Sequence, residues 1–174
     1  MIQRNFWRNV LPSVIAFAFS GVYSIVDGMF VGQGVGDAGL AAINVAWPVT
    51  ALVQALGTGL GMAAAVVLSV CIGRRDAAEE HRALGSTAVL LLLAGVLSTA
   101  LLALLYRPLL PLLGAEGSVL AYADSYTRVI VLGSLFQVLG TGLVPLLRTY
   151  DGADAAMCSM TAGFLTNVVL DALF

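Results

Sequence analysis

A chain of 174 residues is long enough for one ordinary soluble domain, yet 60% of it is Ala, Val, Ile, Leu, Met, Phe, Trp, Tyr or Cys, another 19 residues are Gly, and only 10% are charged. Soluble domains carry about 45–50% apolar residues with Gly included and about 25% charged ones, and a globule this small has too much surface to hide the excess. With a mean hydropathy of +0.98 and a net charge of −2, the composition excludes a disordered chain, a disulfide-stapled secreted domain and a nucleic-acid binder, and leaves the lipid bilayer as the solvent.

About 20 apolar residues cross a ~30 Å hydrocarbon core, and open strands cannot satisfy their backbone there, so the apolar intervals are read as helices. The first is predicted at about residues 9–32, interrupted only by Asp27. Its "AFA" at 16–18 imitates a signal-peptide cleavage site, but only "VLPSVI" precedes it as an apolar region and four more spans follow. The second, about 40–73, fills the charge-free interval between Asp37 and Arg74. The third, about 84–106, contains "TAVLLLLAGVLSTALLALLY". The fourth covers about 119–147 and the fifth about 155–174, with Asp171 inside it. The expectation is an all-α integral membrane protein of about five transmembrane helices.

Every basic residue apart from His81 is Arg. Arg4 and Arg8 precede the first span, Arg74, Arg75 and Arg82 join the second to the third, and Arg148 joins the fourth to the fifth; Arg107 and Arg128 are the exceptions on the other side. This asymmetry places the N-terminus in the cytoplasm of a multi-pass plasma-membrane protein. Asp124 precedes Arg128 by four residues, the favourable order for a helical ion pair, and with Tyr122 and Tyr126 it reads as an interfacial anchor. His81 reads as a solvated residue of a cytoplasmic elbow. Cys71 and Cys158 read as two buried small hydrophobes.

All but two of the ten acidic residues fall in loops or at interfaces. Asp27 lies 18 residues past Asn9 and Asp171 lies 16 past Ala155, which at 1.5 Å per residue puts both roughly 24–27 Å up from the cytoplasmic ends. A carboxylate at such a depth is expensive unless it is protonated, paired or open to a watery cavity. Tyr23 and Ser24 precede Asp27 by four and three residues, and Asn167 precedes Asp171 by four, spacings that share a helix face. Hydroxyl and amide oxygens beside a carboxylate suit a proton site or a small oxygen-lined cation site. The bland alternative has each Asp touching headgroups at a helix end.

The segments "YSIVDGMFVGQGVGDAGLAAINVAWPV", "GTGLGMAAAVVLSVCIGRRDAAEEHRALGSTA" and "LLRTYDGADAAMCSMTAGFLTNVVLDALF" resemble the amino-terminal lobe of multidrug and toxic compound extrusion (MATE) transporters. The most specific parts are "YSIVD" and "NVVLD", supported by the Gly-rich second helix and its "GRRD" exit. The resemblance implies a twelve-helix antiporter of two six-helix lobes that exports drugs and organic cations in exchange for H⁺ or Na⁺, with no other cofactor and no enzymatic activity. It implies an ion-coupling site at Asp27, Asn167 and Asp171, where Na⁺ would also sit, with Tyr23 as a neighbour and Pro12 as a bending point of the first helix. Residues 1–174 would then be a partial amino-terminal lobe, completed by further sequence or a partner.

Other patterns weigh less. "GVGDAG" at 34–39 fits G-x-G-x-x-G without the strand that a dinucleotide site needs. "GVGD" and "YD" imitate an intramembrane aspartyl protease in reversed order, so that class survives only with Asp27 and Asp171 as the dyad. A non-transporting scaffold or accessory subunit is the third class. Gly28/Gly32 and Gly57/Gly61 read as close-packing seams, and Asn44, Gln54 and Gln137 as amides bonding between helices.

Overall fold

In the computed structural model of the chain, the backbone is described for residues 2–150 and 152–173, and side chains for 10–11, 14–15, 18, 21–22, 25–150, 152, 154–166 and 168–169. Five helices follow one another: α1 (Ile2–Gly34), α2 (Asp37–Arg74), α3 (Ala77–Leu112), α4 (Gly117–Thr149) and α5 (Ala153–Leu173). Each coincides with a predicted span and most run past its apolar limits. Lipid fixes where a helix is apolar, not where it stops, and the charged flanks continue the helix into the interface. Among the described residues, α2, α3 and α4 are long and apolar enough to cross a membrane.

What stops the helices is local chemistry. Arg75 takes the left-handed conformation (φ 57°, ψ 33°). Its N–H donates to the Ile72 carbonyl at 3.0 Å and the Asp76 N–H donates to the Cys71 carbonyl at 3.1 Å, which satisfies the last carbonyls of α2. Asp76 then opens α3, its side chain accepting from the Glu79 N–H at 3.1 Å. The sequence "RRD" is thus a stop and a start in adjacent residues. At the outer end of α3 the same closure recurs with Gly114 at φ 96° and the Ala115 N–H on the Leu110 carbonyl at 3.0 Å.

Such short turns make consecutive helices antiparallel, so α2 and α4 run the same way. These two and α3 pack into a three-helix bundle; α1 packs on α5 and touches α2 lightly, as α5 touches α4. The bundle is held by small residues. A side chain at Gly61 would strike the backbone of Gly142, and one at Gly57 would strike Thr141 and the Val138 carbonyl, while Gly95 of α3 lies under Leu135. Buried positions on α4 recur every three or four residues: Ala123, Thr127, Val131, Ser134, Val138, Gly142 and Leu146. Burial is inverted relative to a soluble protein: Thr127 and Ser134 are 0% exposed, whereas Leu104 is 78% and Phe136 73% exposed. Lipid is as apolar as Leu, so association rests on close van der Waals fit and interhelical hydrogen bonds. One such bond joins Thr99 Oγ1 of α3 to Ser134 Oγ of α4 at 2.7 Å.

Four sequence readings change here. Asp124 pairs with Arg107 across α3 and α4 at 3.4 Å rather than with Arg128 along its own helix, because Arg107 comes up beside it on the neighbouring helix. Cys158 is exposed and only Cys71 is buried. Among the described residues a side chain at Gly28 would meet nothing within 4 Å, while one at Gly32 would touch Leu40 of α2 at 3.4 Å, a looser approach than at Gly57 and Gly61. Asn44 donates to the Leu40 carbonyl of its own helix at 3.0 Å, whereas Gln137 of α4 does reach between helices, to the Thr50 carbonyl of α2 at 3.5 Å.

Candidate ion-coupling site

Asp27 sits on α1 seven residues before its outer end at Gly34, about 10 Å along the axis. The side chain is half-buried, as are its neighbours Val26 and Gly28, while Met29 and Phe30 are exposed. The carboxylate therefore lies on the margin of the face that α1 turns toward the rest of the molecule. Tyr126, nine residues into α4 and about 14 Å from its outer end, is close enough to feel the charge of Asp27. Two helices far apart in sequence thus bring a carboxylate and a phenol to similar depth.

Tyr126 is the residue that the sequence reading misplaced. Beside Arg128 and Tyr122 it looked like one more interfacial aromatic. The distinguishing signal is its position on α4: Tyr122 is exposed, whereas Tyr126 is half-buried next to the fully buried Thr127. Arg107, a cation near the outer end of α3, bonds within its own surroundings. Its Nε faces Asp124 at 3.4 Å and donates to the Tyr106 hydroxyl at 3.2 Å.

The other predicted site residues are only partly placed. Tyr23 belongs to α1, and Asn167 and Asp171 to α5; their side chains lie outside the described residues, as does that of Pro12. What the backbone gives is that α1 and α5, the helices carrying the two carboxylates, pack against each other. Among the described residues, no three His, Cys, Asp or Glu side chains gather as a metal cluster. His81 is exposed near the start of α3.

Comparison with known proteins places this geometry. The profile of the MatE family matches residues 12–173. The multidrug export protein MepA of Staphylococcus saprophyticus is 25% identical over 164 residues, covering 94% of this chain and 36% of that protein. An FAD transporter of Shewanella oneidensis is 29% identical over 164 residues, with the same coverage of 94% and 36%. A multidrug resistance MATE family transporter of the MOP superfamily, solved in an outward-facing conformation, superimposes with a TM-score of 0.91 at 29% identity, over 98% of this chain and 38% of that one. The chain therefore spans little more than a third of the length of these relatives. With the family profile running almost from end to end, the chain belongs to the MatE family of multi-pass membrane transporters.

Proposed function

We propose that residues 1–174 form most of the amino-terminal lobe of a cation-coupled antiporter that exports drugs and organic cations across the plasma membrane. The observation that carries this reading is Asp27: a half-buried carboxylate in the outer part of α1, within electrostatic range of Tyr126 on α4. Asp27 and Asp171 of α5 take up H⁺ or Na⁺ from outside. Loading changes the charge and hydrogen bonding around Tyr23, Tyr126 and Asn167, shifts α1 against the bundle and lowers affinity for the exported cation. Release of the ion toward the cytoplasm resets the lobe. The drive is differential binding to the two orientations, because a ligand that binds both equally shifts nothing. Rocking needs a second lobe, which further sequence or a partner supplies.

Efflux of a permeant cationic dye from cells expressing the chain together with its completing lobe tests this. Asp27→Asn combined with Asp171→Asn should abolish efflux; unchanged efflux overturns the coupling role and favours a scaffold. Proteoliposomes with separately imposed pH and Na⁺ gradients identify the ion. The Shewanella relative carries FAD, a dinucleotide with an anionic pyrophosphate, so FAD is the discriminating competitor. Export of FAD in preference to the cationic dye would overturn the substrate class while leaving the coupling site standing.

A further inference from the structure

We draw no further inference here: the strongest candidate, the exposed face of α2 that carries Trp47 and the amide of Gln54, carries nothing, because nothing in the structure shows what covers it.

Discussion

The α2–α3–α4 bundle and the α1–α5 pair are built from the same apolar alphabet and do opposite things with it. In the bundle, glycines close the distance between backbones: Gly57 and Gly61 face Val138, Thr141 and Gly142, and Gly95 faces Leu135. On α1, side chains at Gly21, Gly28 and Gly34 would meet nothing within 4 Å among the described residues, whereas one at Gly32 would touch Leu40 of α2 at 3.4 Å, and the pair touches the bundle lightly. At these positions the bundle cannot close further without clash. The pair carries both carboxylates on helices that pack mainly on each other. A transporter needs such a division, because an ion-driven change must have a loose element to move and a rigid one to move against.

The largest expected effect breaks the rigid side. Gly61→Val forces a branched side chain into the Gly142 backbone and should destabilise the chain by about 3 kcal/mol or leave no folded protein to recover. Gly28→Ala should be neutral or stabilise by up to about 1 kcal/mol, since Gly is the poorer helix former. Thermal unfolding in detergent, followed by helical circular dichroism, gives both values. Equal sensitivity at the two positions would erase the distinction between the regions.

Tyr126→Phe probes the link between them. If the phenol dipole beside the Asp27 charge matters to coupling, its loss should slow efflux in the completed transporter severalfold without moving the melting temperature. Unchanged efflux would mean that the pair works without α4. A smaller effect tests what holds α3 on α4. One of the Thr99 and Ser134 hydroxyls donates to the other at 2.7 Å, and the acceptor donates back into its own helix, to the Gly95 or Val131 carbonyl. A double-mutant cycle of Thr99→Val and Ser134→Ala should return a coupling of about 0.6 kcal/mol, typical of hydrogen bonds within membranes. Zero coupling would leave packing alone in charge of the bundle.

These contrasts also mark how far the sequence could be read. The helices were legible because hydropathy and charge are one-dimensional signals, and Gly57/Gly61 announced a seam by spacing. Which helices pair was not legible: every face is apolar, so no amphipathic stripe says which side of α1 or α4 turns inward. Asp27 stood out as a charge in an apolar run. Tyr126 did not, because its nearness to the charge of Asp27 depends on how α1 sits beside the bundle, which no local pattern encodes. The same limit misassigned Asp124: the i, i+4 rule saw Arg128, while Arg107 on the adjacent helix lies closer in space.

The smallest effect concerns the cytoplasmic rim, where the bundle meets the turn into α5. The Tyr150 hydroxyl donates to Glu80 Oε1 at 2.6 Å, and that bond holds the phenol proton so that its pKa is pushed up to about 12 from the usual 10.0. The folded state binds this proton more tightly than the unfolded chain. The contribution is therefore full below pH 10 and is lost as the pH rises toward about 12. Tyr150 is exposed, so solvent screens most of what a shift of that size would mean in a protein interior, and roughly 0.5 kcal/mol remains. Tyr150→Phe should lower stability by that amount at pH 8, with Glu80→Gln acting similarly, and the gap to the unaltered chain should close as the phenol ionises. A gap that persists unchanged at high pH would assign the loss to packing of the ring. The end of α4 would then be held on α3 by van der Waals contact, as the rest of the bundle is, instead of by a polar tether.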